Sequence, residues 1–221
     1  MPSKLALAGE RSDDAGRRHN VAVTSEREFH LIGRTAPERV DLERFITERY
    51  ARTYGARVRQ FAEQLVGFRN AEGAWVAALD YTRAGNAPLF AEQYLDRPVE
   101  ETIGMKTGSQ VQREHVVEVG NLAATSGGAA RQVILAMTQL LHELACTWVV
   151  FTSTRLLLNS FARLSMDTIM LTRADPRRLP DRGESWGRYY ETDPRVMTAN
   201  IPMHFLRLCS QGADTADNGR H

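Results

Sequence analysis

One stretch, residues 116–151, limits what this chain can fold into. An apolar run from Val116 to Ala124 leads into the small-residue turn Thr125-Ser126-Gly127-Gly128. A long helical pattern follows, then a second apolar run from Trp148 to Phe151. Strand, glycine turn, helix, strand is the βαβ order, which implies two parallel strands joined by a crossover helix. Ala130, Val133, Ile134, Met137, Leu140, Leu141, Leu144 and Ala145 recur at the spacing of one apolar helix face, and Arg131, Gln132, Thr138, Gln139, His142 and Glu143 fall off it. The flanking runs carry the β-branched residues Val116, Val117, Val119, Val149 and Val150, and are of strand length.

A glycine turn at a helix N-terminus presents unpaired backbone N–H groups, and small side chains let an anion such as phosphate reach them. The same turn also serves as a tight connection that binds nothing. It matches neither the GxGxxG nor the Walker pattern.

Around this unit the sequence predicts a mixed α/β sheet. Val21 to Ile32 reads as a first strand. Leu42, Phe45, Ile46, Tyr50 and Tyr54 form an amphipathic helix that stops at Gly55. Phe61 to Phe68 and Ala74 to Thr82 form a hairpin around Asn70-Ala71-Glu72-Gly73. Short helices follow at Pro88 to Tyr94 and from Pro98. Thr152 to Leu164 reads as helix, Thr168 to Leu171 as strand, and Val196 to Leu206 as partly extended. Residues 1–20 are expected to be a disordered tail, 21–209 one domain, and 210–221 a polar tail.

The chain has 221 residues, with 28 basic and 27 acidic side chains, so no basic excess points to nucleic acid. No run of 18 apolar residues and no signal-peptide core are visible, so no transmembrane segment is expected and the cytoplasm is the expected location. Cys146 and Cys209 have no metal-ligand spacing.

The element order is similar to the GNAT-like acyltransferase fold, in which a parallel strand pair splays apart around an acyl-pantetheine arm. Three blocks sharpen the resemblance. Residues 88–96 read PLFAEQYLD, residues 117–123 read VEVGNLA, and Trp186-Gly187-Arg188-Tyr189-Tyr190 precedes Pro194-Arg195-Val196. In this order they resemble the thermostable hemolysin family, over about Phe29 to Leu206. That family looks like a branch of the GNAT-like superfamily, related to the acyl-homoserine lactone synthases. Their Glu-x-Ser-Arg block aligns with Glu118-Val119-Gly120-Asn121, with asparagine in place of arginine, which makes S-adenosylmethionine a poorer acceptor here.

The resemblance implies an N-acyltransferase that moves an acyl chain from a pantetheine thioester to a small-molecule amine, such as an amino acid. The thioester, on an acyl carrier protein or coenzyme A, is a co-substrate, and no tightly bound cofactor or metal is implied. The phosphate loop of the superfamily usually opens on arginine or glutamine. Here it reads Thr125-Ser126-Gly127-Gly128-Ala129-Ala130, which tilts the donor toward a carrier protein with its single phosphate. Backbone groups of Leu122, Ala123 and Ala124 are expected to meet the pantetheine, and Ser126, Gly127, Gly128, Ala129 and Ala130 the phosphate. Asn159, in an Asn-x-x-Ala block, is expected near the pantetheine.

Direct attack by an amine needs a base. Glu118 is the first candidate, because a carboxylate inside an apolar strand is costly unless paired and burial raises its pKa. A salt bridge to Arg155 or Arg163 is the structural alternative. Glu92 is a second carboxylate for base duty or ammonium binding, and Asn121 a group to orient the acceptor. Strand alternation puts Val117, Val119 and Asn121 on one face and Glu118, Gly120 and Leu122 on the other. Tyr94, Trp186 and Tyr189 either wall an acyl or acceptor pocket or simply pack. Two other readings are a membrane-active lytic protein, after the family's name, and a carrier-binding module without catalysis.

Overall fold

A computed structural model describes residues 28–217, with side chains from 29 to 210. The expected N-terminal tail, and the expected strand before residue 28, lie outside the described residues. The elements run β1 (Glu28–Ile32), α1 (Arg39–Tyr54), β2 (Gln64–Arg69), β3 (Trp75–Arg83), α2 (Val99–Thr107), β4 (Val116–Ala124), α3 (Gly127–Glu143), β5 (Trp148–Ser153), α4 (Arg155–Arg163), β6 (Ile169–Arg173), β7 (Arg195–Asn200) and α5 (Ile201–Asp217). One seven-stranded sheet has the order β1-β2-β3-β4-β5-β7-β6. Among the described residues only β4 and β5 run parallel, and α3 crosses between them. This is the mixed α/β sheet, with one parallel pair joined by a crossover helix, that the sequence predicts.

Helices cover both faces of the sheet. Val133, Met137 and Leu141 of α3 pack on Val66, Leu79 and Val117. On the other face, Leu42 and Ile46 of α1 meet Leu65, Ala78 and Ala123. Val99 and Ile103 of α2 join Val116, Trp148 and Val150. Gly55 closes α1 in the left-handed conformation, with its N–H on the Ala51 carbonyl.

Three features differ from expectation. Thr152 and Ser153 extend β5, where they pair with Val196 and Arg195, instead of opening a helix. The segment expected to be partly extended is strand as far as Asn200 and helix from Ile201. Asn200 starts it, taking the Met203 N–H on its Oδ1 at 3.0 Å, and Ile201 is buried against α3. Helix α5 continues to Asp217, through most of the expected polar tail.

The third difference is a β-bulge. Gly120 pairs with Asp80 and Ala123 with Ala78, so Asn121 and Leu122 together oppose Leu79. Asn121 adopts φ 51°, a left-handed conformation that asparagine tolerates better than most residues. The extra residue resets the alternation. Leu122 and Ala124 pack with Val119 against the α3 core rather than on the face of Glu118, and the Asn121 amide turns to Asp80.

Candidate active site

The site opens where β4 and β5 part. Val116, Val117 and Glu118 pair with Trp148, Val149 and Val150, and the ladder then stops although both strands continue. Beyond Glu118, β4 keeps its β3 partner on one edge only. Two cavities meet in the gap, with Val119, Gly120, Asn121 and Thr152 lining both.

The first cavity, about 550 Å³, lies on the α3 side. Its buried lining is mostly apolar, with Ile134, Met137, Leu141, Phe151 and Ile201 beside the polar Thr138 and His204. Leu122, Ala123, Ala124, Ser126, Gly127, Ala130 and Asn159 of the expected donor residues line it. Gly128 and Ala129 do not line it, and Ala129 is core instead. Ser126 caps α3, its Oγ accepting the Ala129 N–H at 3.2 Å.

The second cavity, about 680 Å³, lies on the opposite side. Glu118 lines it and is 8% exposed. Its carboxylate pairs with no arginine among the described residues, so the salt bridge to Arg155 or Arg163 is not formed. Instead the Phe90 N–H donates to Oε2 at 2.6 Å and the Ala91 N–H to Oε1 at 2.9 Å. Burial pushes the Glu118 pKa up to about 8, against the pull of these two donors, and the charges of Asp80 and Glu92 add to the rise.

Asp80 is the site residue that sequence reading missed. It is 4% exposed and lines the same cavity. Its Oδ2 accepts from the Ala62 N–H at 2.9 Å and from Asn121 Nδ2 at 2.8 Å. Burial raises its pKa, and those two donors lower it. A Cβ on Gly120 would lie 2.7 Å from Asp80 Oδ1, so the glycine makes room for this carboxylate. Asp80 carries the signal that singled out Glu118, an acid inside the apolar strand WVAALDYTR. Asn121 also donates to the Gln60 carbonyl at 3.1 Å, so its amide is committed to holding the bulge.

Glu92 is held elsewhere. Arg113 grips it at 2.6 and 2.9 Å, and the Leu89 and Val99 N–H groups complete its shell. Arg113 holds its pKa down to about 2. It lines neither cavity, and its carboxylate instead joins the turn at Phe90 to the start of α2.

Tyr94 and Trp186 line the second cavity and Tyr189 lines both. Trp186 stands 5.7 Å from Phe90, 5.4 Å from Tyr189 and 6.1 Å from Tyr50, all between ring centres. Tyr94 and Tyr190 share a hydroxyl hydrogen bond. Tyr50, which lines both cavities, was read from sequence only as a core helix aromatic.

No curated protein sequence matches this chain significantly. Several solved structures match its fold. The acyl-homoserine lactone synthase LasI is 11% identical with a TM-score of 0.53, covering 80% of this chain and 91% of its own. FeeM, an N-acyl amino acid synthase from uncultured soil microbes, is 14% identical with a TM-score of 0.52, covering 80% and 93%. BjaI, a coenzyme A-dependent acyl-homoserine lactone synthase bound to S-adenosylmethionine and isopentyl-coenzyme A, is 13% identical with a TM-score of 0.54, covering 84% and 89%. A family model matches residues 32–204, most of the described chain, and by it this protein belongs to the thermostable hemolysin family.

Proposed function

We propose that this protein is an N-acyltransferase that passes an acyl chain from a pantetheine thioester to an amine by direct attack. The observation that carries this reading is the meeting of two unlike cavities at the open edge of β4. One is mostly apolar where it is buried and suits an acyl chain, and the other holds two buried carboxylates and suits an amine. The backbone of Leu122, Ala123 and Ala124 is suited to the pantetheine amides, and Gly127 with Ser126 to the phosphate. The amine nitrogen bonds to the thioester carbonyl carbon, its proton passes to Glu118, and the sulfur leaves with the electron pair of the broken C–S bond. Fold likeness to acyl-transferring enzymes supports the reading as analogy.

The apolar face of α3 is used in packing, with Ala129, Val133, Ile134, Ala136, Met137, Leu140 and Leu141 buried. It is therefore not a free amphipathic surface for a bilayer. Among the described residues no helix is long and apolar enough to cross a membrane.

The test is to incubate the protein with acyl-carrier-protein and acyl-coenzyme A donors and a panel of amines, then read products by mass spectrometry. Amide formation with matching thioester loss is expected. Absence of both across the whole panel would overturn the reading.

The phosphate position has its own test, at Gly127, which lines the donor cavity and opens α3. No atom within 4 Å would meet a Cβ there. Gly127→Glu puts a carboxylate where anion binding is proposed, and an acid in the first turn of a helix does not harm folding. The KM for the donor is expected to rise about fivefold, with the melting temperature held, since a full charge at a helix N-terminus is worth about 1 kcal/mol. An unchanged donor KM in a folded variant removes this turn from the donor site.

A further inference from the structure

The geometry points to an acceptor that carries a carboxylate of its own, gripped by Arg57 and Arg59 while its amine reaches Glu118 and Asp80. This deepens the proposed function and rests on it. The charged side chains of the second cavity are Asp80, Glu118, Asp181, Arg57 and Arg59. They are segregated by depth, with Asp80 and Glu118 buried and both arginines exposed. Among the described residues neither guanidinium has a hydrogen-bond or ion-pair partner.

Asp181, the remaining acid on the rim, forms no ion pair with either arginine among the described residues and is turned toward its own loop. Its oxygens accept from the Gly183 and Ser185 N–H groups at 3.0 and 3.1 Å and from the Ser185 hydroxyl. The arginines nevertheless stand on a fixed backbone. The Arg57 N–H donates to the Ser185 carbonyl at 2.6 Å, tying the chain after α1 to the loop beside Trp186.

A neutral or purely cationic amine would use the buried acids and leave both guanidinium groups idle. An amine with a carboxylate near it uses both ends. The amine points inward to the acids and the carboxylate outward to a planar donor fork. Phe90, Tyr94, Trp186 and Tyr190 line the same cavity, and this aromatic wall suits an apolar side chain. The chemical class is therefore an apolar α-amino acid rather than its decarboxylated amine.

The experiment compares matched pairs with one acyl donor: phenylalanine against 2-phenylethylamine, and leucine against 3-methylbutylamine. Rates are compared at equal concentrations of free amine base, so that differing amine pKa values do not enter. The intact protein is expected to favour each amino acid in kcat/KM by about tenfold or more, the scale of two exposed charge contacts. The Arg57→Ala/Arg59→Ala double variant is expected to bring each ratio close to one. Arg57→Lys/Arg59→Lys, which keeps the charges, should restore part of the preference. A purely structural role for the arginines would lower both members of a pair alike and leave the ratio unmoved, and that result overturns the inference. So does an intact protein that takes the plain amine as readily as the amino acid. Acylation of no amine at all would overturn the proposed function itself, and this inference with it.

Discussion

Glu118→Gln is expected to lower the turnover number by about 100-fold or more near neutral pH, the usual scale for one general base. An amine arrives mostly as ammonium, which has no lone pair to attack with, and Glu118 lies in the gap where that proton must leave. Both its oxygens already accept a backbone N–H, but a carboxylate oxygen has two lone pairs, so each keeps one for the substrate. Burial holds its pKa near 8. The kcat/KM of the intact protein should therefore rise with pH through about 8. In the glutamine variant that inflection should vanish, leaving only the rise due to free amine. Donor KM should hardly move, because the donor is placed on backbone groups.

The same carboxyl makes a stability prediction with a defined sign. Its folded pKa of about 8 lies above the ordinary 4.5, so the folded state holds the proton more tightly than the unfolded chain. Its contribution to stability is fully present below pH 4.5 and is lost as pH rises toward 8. Glutamine cannot titrate, so the gap in melting temperature between variant and parent should move in the variant's favour over that window. Glutamine also sets an amide nitrogen against one of the two N–H donors, which costs a hydrogen bond at every pH. Rate and melting curves against pH on one preparation separate the two effects. A folded variant with full activity at pH 7 removes Glu118 from catalysis.

Gly187→Ala is expected to be strongly damaging, next to Trp186 of the acceptor cavity. Gly187 has φ 54° and ψ −125°, which side-chain-bearing residues do not adopt readily. A Cβ there would run into the Tyr54 carbonyl oxygen and come within 2.8 Å of the Gly55 carbonyl carbon, both rigid backbone. The contact cannot open easily, because the Arg188 N–H is bonded to that same Tyr54 oxygen at 2.8 Å. We expect a loss of about 3 kcal/mol, and so a melting temperature about 6–12 °C lower. Trp186 and Tyr189 flank this point, so near-ultraviolet circular dichroism and acceptor KM should change together. Gly73→Ala is the control. Gly73 also has a positive φ of 77° but meets no atom within 4 Å, so its cost should stay at about 1 kcal/mol. Equal melting temperatures for the two variants would show that the segment from 185 to 188 yields freely.

How much was legible in the sequence depended on whether the signal was local. The crossover unit was legible because a 17-residue helix and its flanking strands each carry their own periodicity. So was Glu118, because an acid in an apolar strand needs an explanation wherever the strand lies. Asp80 carried the same kind of signal, but no separated sequence block drew attention to β3. Helix α5 was missed because its start depends on a cap at Asn200 and on burial of Ile201 against α3, a partner far away in the chain.

What the sequence by itself determined was the crossover unit and the placement of small residues at the start of α3, since both follow from spacing and backbone chemistry within a few residues. Only the tertiary structure decided how those residues act. The bulge at Asn121 shifts the side-chain alternation by one, and alternation cannot report an inserted residue whose partner strand is unknown. The choice between Glu118 and Glu92 rested on Arg113, 21 residues beyond Glu92. Two similar carboxylates were driven to opposite pKa shifts, one by burial and one by an ion pair. Burial and pairing are properties of the packed molecule, and no single segment contains them.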